Sequence, residues 1–180
     1  MKRKLFLIAA LFLSFSTACV TLTSCDKEDE ETTTDTQKQD TKPAFVQMTF
    51  TFNATQDMID NCDMVVKYND GTGEKTETVT SLEWNKTLKV ALPATLSFSR
   101  EVTLKAGIDV AAIATISHTK GYGYNYFMLN AQGEKLGKSG IHSSGNHATI
   151  SGTNFVTFVG EGRLNSTHSY SFDANGDLVD

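Results

Sequence analysis

Hydrophobic and polar residues alternate along much of this chain. The alternation is clearest over residues 45–52 and 62–68, where every second position is apolar: Val46, Met48, Phe50 and Phe52, then Cys62, Met64, Val66 and Tyr68. A period of two places successive side chains on opposite faces of a strand, so each segment is predicted to bury one face. Residues 69–73 read Asn-Asp-Gly-Thr-Gly, a composition that tolerates positive φ and predicts a turn between two strands.

Further short segments have the composition of strands. They are separated by turn residues and follow in this order: 74–82, 87–92, 96–105, 108–118, 122–130, 148–151, 154–159 and 166–172, then a turn over 173–177 and a last short strand. A turn over 131–134 is predicted to join 122–130 to a successor strand with which it pairs. No segment keeps an apolar period of 3.6 residues over three helical turns. The pattern predicts an all-β fold, a single antiparallel β-sandwich of the immunoglobulin-like or a similar type.

Composition and charge narrow the class of protein. The 180 residues are 39% hydrophobic and include 11 phenylalanines, which is enough for a buried core. The net charge is −5, but acids are concentrated near the amino terminus, where residues 26–40 hold seven acids and two lysines. Over residues 41–180, 11 basic residues stand against 14 acids, which argues against the basic surface that a nucleic-acid-binding domain needs.

The amino terminus has the features of a secretion signal. Three basic residues, Lys2 to Lys4, precede a mostly apolar run over 5–18, which is too short to cross a bilayer. The following Leu22-Thr23-Ser24-Cys25 resembles the lipobox of bacterial lipoproteins, whereas Cys19 lacks the aliphatic residue three positions before it. The resemblance implies that 1–24 is a signal peptide and that Cys25 carries the lipid that anchors the chain to a membrane. A plain secretory signal with an incidental cysteine is the alternative.

An acidic cluster follows the predicted lipidation site. Residues 26–31 read Asp-Lys-Glu-Asp-Glu-Glu, which resembles the surface-export signal of Bacteroidota-type lipoproteins and implies an outer-membrane protein that faces the cell exterior. A solvated spacer beside a periplasmic anchor is the alternative. Residues 25–42 contain no large apolar side chain and are predicted to be a flexible tether, with the β domain over 43–180.

Residue patterns typical of enzymes and metalloproteins are missing. No serine has the paired flanking glycines of a nucleophile elbow, and Cys62, the one thiol left after processing at Cys25, is predicted to be buried. His142 and His147 have no third metal ligand at a recognisable spacing. Residues 173–177 begin like a calcium loop but lack the closing glutamate, so a hairpin turn is the better interpretation. We therefore expect no catalytic residues, no metal and no cofactor.

One strand suggests a binding surface. In an extended chain Tyr122, Tyr124 and Tyr126 share one face, with rings about 6.5–7 Å apart, as a stacking platform for sugars or for a partner's peptide requires. In the alternative interpretation, the rings cover the edge of the core. The predicted function is a cell-surface lipoprotein that acts as a non-catalytic glycan-binding or adhesion module. Docking on another envelope protein is the second hypothesis, and a small secreted hydrolase is the third.

Overall fold

The computed structural model of the chain describes residues 40–179, so the predicted signal peptide, Cys25 and most of the predicted tether lie outside the described residues. The strands are β1 (Phe45–Asn53), β2 (Cys62–Asn69), β3 (Glu74–Thr78), β4 (Glu83–Ala91), β5 (Ala94–Leu104), β6 (Ile116–Thr119), β7 (Tyr122–Leu129), β8 (Lys135–Ser144), β9 (His147–Ile150), β10 (Ser166–Phe172) and β11 (Leu178–Val179). Two short helices, α1 (Gln56–Asn61) and α2 (Gly152–Gly160), and a 3-10 turn, Val110–Ala112, lie between them. Neither helix is long and apolar enough to cross a membrane.

The strands form antiparallel sheets. The first sheet has the order β4-β1-β7-β8, and the second has the order β11-β10-β5-β2-β3. Strands β6 and β9 form a separate two-stranded sheet. The predicted all-β antiparallel class is therefore confirmed, while closure into an immunoglobulin-like sandwich stays a prediction.

The alternating positions predicted to be buried form the core. In β1 and β2, each apolar residue of the alternation is at most 5% exposed. Rings from the first sheet meet rings from the second: the centroids of Phe50 and Phe98 are 4.2 Å apart, and those of Phe52 and Phe98 are 5.2 Å apart. Burial of such a ring contributes roughly 1.5–3 kcal/mol, so these aromatic contacts are a main source of stability.

A carboxylate links edge strands of the two large sheets. Glu77 on β3 accepts hydrogen bonds from the Lys86 ammonium (2.6 Å) and the Trp84 indole (3.0 Å), both on β4, and from the Tyr68 hydroxyl (2.6 Å). Because these donors stabilise the charged form, they lower the pKa of Glu77 to about 2, with Lys86 as the largest cause. The side chains of Lys86 and Glu77 are about one-third exposed, so solvent screens the pair.

The structure corrects two predicted strands. Residues 154–159 belong to α2, which begins after the N-cap Ser151 and buries Phe155 and Val159, four residues apart. Their β-branched and aromatic composition favoured a strand, but nine residues are too few to show a sustained helical period. The predicted strand over 108–118 is also wrong, because Val110–Ala112 is a 3-10 turn and only Ile116–Thr119 is extended.

Helix α1 is a third departure, because no residue pattern had predicted a helix there. The hydroxyl of Thr55 caps the helix by accepting a hydrogen bond from the Met58 amide. The Asp57 carboxylate then accepts from the Ser117 amide at 2.6 Å, which fastens β6 to the helix. A six-residue helix has almost no periodicity of its own, and tertiary contacts of this kind hold it in place.

The described chain enters the fold beside the start of β8. The Asp40 carbonyl accepts from the Asn130 side-chain amide (3.0 Å), and the Ala44 amide donates to the Leu129 carbonyl (2.8 Å). Asn130 begins the turn that leads into Lys135, the first residue of β8. The entry point and the beginning of β8 therefore lie at the same end of the first sheet.

Candidate functional site

The three tyrosines of β7 share one face, as their spacing indicates, and that face is turned towards the second sheet. Each ring meets a side chain of β10. Tyr122 stacks on His168 at 3.8 Å, Tyr124 lies 4.5 Å from Tyr170, and Tyr126 meets Phe172 edge-on at 5.0 Å. All three tyrosines are half-buried.

Strand β8 adds two further contacts to this aromatic cluster. The ring of His142, opposite Tyr124 in the ladder, lies 5.2 Å from Tyr122 and 5.5 Å from Tyr124. The ring of Tyr126 covers Gly140, where an added Cβ would lie 2.5 Å from the ring. A sugar-stacking platform requires exposed, coplanar rings, whereas these rings already pack against protein. The geometry favours the interpretation in which the tyrosines cover the edge of the core.

A buried cation, which the sequence analysis did not predict, lies next to this cluster. Arg100 is 2% exposed, and its Nε donates to the Leu164 carbonyl at 3.1 Å. Among residues 40–179 no carboxylate pairs with it, and burial lowers its pKa to about 10. Its guanidinium lies over the Phe52 ring at 4.7 Å, a cation–π contact inside the core.

Burial also makes the fold sensitive to acid at two histidines. Burial is the largest cause that lowers the pKa of His168, and the charges of Arg100 and His142 add to it; burial likewise lowers the pKa of His118. In the unfolded chain a histidine has its ordinary pKa of 6.5, so the unfolded chain binds a proton at each of these histidines more readily than the folded chain does. We expect the free energy of unfolding to keep its full value above pH 6.5. It should fall as the pH drops below 6.5 and through the lower pKa values that the two histidines have in the folded chain.

Urea denaturation at pH 7.5 and pH 5 measures this effect. The midpoint should be lower at pH 5, and His168→Phe, which keeps a ring against Tyr122, should lose part of that difference. An equal difference in the variant would contradict the role given to His168.

Strand β8 is an unpaired edge of the first sheet. It is ten residues long and, among residues 40–179, pairs only with β7. Its first half carries Lys135 and Lys138, whereas residues 139–144 carry no ionisable group except His142. Ile141 is 82% exposed, more than any other large hydrophobic side chain among residues 40–179.

The other three edges of the two large sheets are short or carry charges along their length, whereas residues 139–144 of β8 carry no permanently charged side chain. Strand β3 has five residues, three of them charged, and β11 has only two residues. Strand β4 is nine residues long but bears charges along its length, at Glu83, Lys86 and Lys89. Short strands and charged side chains are the usual means by which proteins prevent an edge from pairing with another chain.

The remaining sites considered from the sequence do not form a reactive or metal-binding group. Cys62 is 3% exposed, and burial is the main cause that raises its pKa to about 11, which keeps the thiol protonated. His142 and His147 lie on strands of different sheets, and residues 40–179 contain no group of three metal-binding side chains. The Asp173 carboxylate accepts hydrogen bonds from the backbone amides of Asn175 and Asp177, both at 2.8 Å, in the turn between β10 and β11.

No known protein family, curated protein or solved structure matches this chain.

Proposed function

We propose that this chain is a lipid-anchored, non-catalytic interaction module that binds an extended protein segment along β8. The observation that carries the proposal is the contrast among the edges of the two large sheets as described over residues 40–179: β8 is long and has no permanent charge over 139–144, while the other edges are short or charged along their length. An extended segment that adds to such an edge gains main-chain hydrogen bonds along the strand.

The side chains of β8 support the same function. The exposed face of Ile141 supplies apolar area, worth about 25 cal/mol for each Å² removed from water. The flanking Ser139 and Ser143 are small enough to leave the backbone accessible. Glycan binding through Tyr122, Tyr124 and Tyr126 is the weaker proposal, because the faces that would stack on sugar already contact β10 and β8.

Photo-crosslinking in intact cells tests the proposal. A photoreactive phenylalanine analogue at Ile141 should give a covalent protein adduct. The matched control is Thr87, an exposed residue on β4 at the opposite edge of the same sheet, where we expect none. Equal adducts at both positions, or none at Ile141, would contradict β8 as the contact edge.

The anchor is a separate proposal that rests on the lipobox at Leu22–Cys25. Since acylation requires the thiol, Cys25→Ser should release the protein from the membrane fraction or leave the signal peptide uncleaved, while Cys19→Ser changes neither. Palmitate labelling and fractionation measure the outcome. Labelling that survives in Cys25→Ser would show that another residue carries the lipid.

The acidic cluster supports a position on the outer surface of the outer membrane. Replacement of the five acids of 26–31 by alanine should leave the chain lipidated but protected from protease added to intact cells. Unchanged digestion would identify the cluster as a spacer.

A further inference from the structure

We propose that the segment bound along β8 is β8 of a second copy of this chain, in an antiparallel pair whose two-fold axis passes at Ile141. This inference rests on the proposed function, because it names the partner of the same edge. Such a pair would join two four-stranded sheets into one continuous sheet of eight strands.

The symmetry fixes which residues face each other. When a strand pairs with its own copy across a two-fold axis perpendicular to the sheet, the residue at the axis meets itself, and residues equally distant on either side meet each other. With Ile141 at the axis, Ser139 faces Ser143 and Lys138 faces Ser144. The most exposed large hydrophobic side chain of the described chain thereby gains an apolar contact with its own copy.

Charge argues against registers that bring the lysines of β8 together. With Ile141 at the axis, neither lysine of β8 faces a lysine of the other copy, and Lys138 keeps its ion pair with Asp177 on its own chain (2.6 Å). An axis at Lys138 would place two ammonium groups opposite each other, which is destabilising. An axis at Gly140 would set Lys138 against His142 and leave each Ile141 opposite a serine.

The same features favour a second copy over an unrelated peptide. Beyond Lys138, β8 has no permanently charged side chain with which to select an acidic or basic partner segment. With β8 of a second copy, Ile141 lies beside Ile141 as an apolar cross-strand pair, and the small Ser139 and Ser143 lie opposite each other.

Cysteine crosslinking of the full chain in intact cells tests the partner and its register. Background is low because the thiol of Cys62 is 3% exposed and that of Cys25 is the proposed acylation site. Under oxidation, Ile141→Cys should form a covalent band of twice the mass, and the matched edge control Thr87→Cys should not.

Register is tested with two further variants. Cells that express both Ser139→Cys and Ser143→Cys chains should give the dimer band. Ser139→Cys alone should not, because its two copies would lie about 13 Å apart along the strand.

In detergent, the native dimer should be lost in Ile141→Lys, which places two charges at the axis, and kept in Ile141→Val.

The outcomes separate the two proposals. Photo-adducts of Ile141 with a different protein, without a cysteine dimer, would overturn self-pairing and leave β8 as the contact edge. Absence of any adduct at position 141 would overturn both proposals. A dimer from Ser139→Cys alone, or from Thr87→Cys to the same extent as from Ile141→Cys, would overturn the register argued here.

Discussion

Truncation of Phe98 to alanine is expected to lower the free energy of unfolding by about 3–5 kcal/mol. Phe98 is 1% exposed and contacts rings from three strands, including Phe50 at 4.2 Å and His168 at 4.9 Å. Removal of the ring takes away these contacts and leaves a cavity between the two sheets, which rigid strands on both sides cannot fill.

Ile141→Ala is the matched control for this truncation. It also removes a large hydrophobic side chain from a strand, but one that is 82% exposed, so it should change stability by less than about 0.5 kcal/mol. Urea denaturation followed by circular dichroism measures both variants under conditions that keep the chain monomeric. Similar losses in the two would contradict the described core.

Gly152→Ala is expected to destabilise the fold strongly, by roughly 3 kcal/mol or more. A Cβ at this position would lie 2.0 Å from the Val110 carbonyl oxygen and 2.6 Å from that of Ile113. Both neighbours are backbone atoms, so the clash is relieved only if α2 moves away from the 3-10 turn. That movement would also break the hydrogen bond from the Gly152 amide to Ile113 (2.9 Å).

Gly160, at the other end of the same helix, provides the control. A Cβ there meets no atom within 4 Å, so Gly160→Ala should be neutral or stabilise the helix by up to about 1 kcal/mol. Thermal unfolding should therefore show a lower melting temperature for Gly152→Ala and an unchanged or higher one for Gly160→Ala. A loss of stability in both would mean that glycine is required in α2 for another reason.

Strands with a clean alternation were the easiest part of the fold to predict from sequence. In β1 a single register buries Val46, Met48 and Phe50 together, and a slip of one residue would expose all three, so the pattern determines which face is buried. The turn over 69–73 was equally clear, because its glycines supply the positive φ that the hairpin needs. Helix α2 was missed because a buried face of two residues, Phe155 and Val159, is compatible with either period.

The candidate sites depended on contacts that no local pattern contains. The spacing of Tyr122, Tyr124 and Tyr126 showed that they share a face, but whether that face is covered depends on β10, some 40 residues later in the chain. One local signal was present: the other face of β7 carries Gly123 and Asn125, which makes the tyrosine face the better candidate for burial. The unpaired edge of β8 follows from strand order, which alternation does not encode.

The place where the described chain enters the fold has a consequence for how a dimer would sit on a lipid surface. Entry is beside the start of β8, so in an antiparallel pair the two entry points lie at opposite ends, about 40 Å apart along the strands. In this dimer the symmetry axis is perpendicular to the sheet. A dimer whose axis lies along the membrane normal would therefore lie with its eight-stranded sheet parallel to the lipid surface and both entry points at the same height, within reach of two anchors in one leaflet through the predicted tethers.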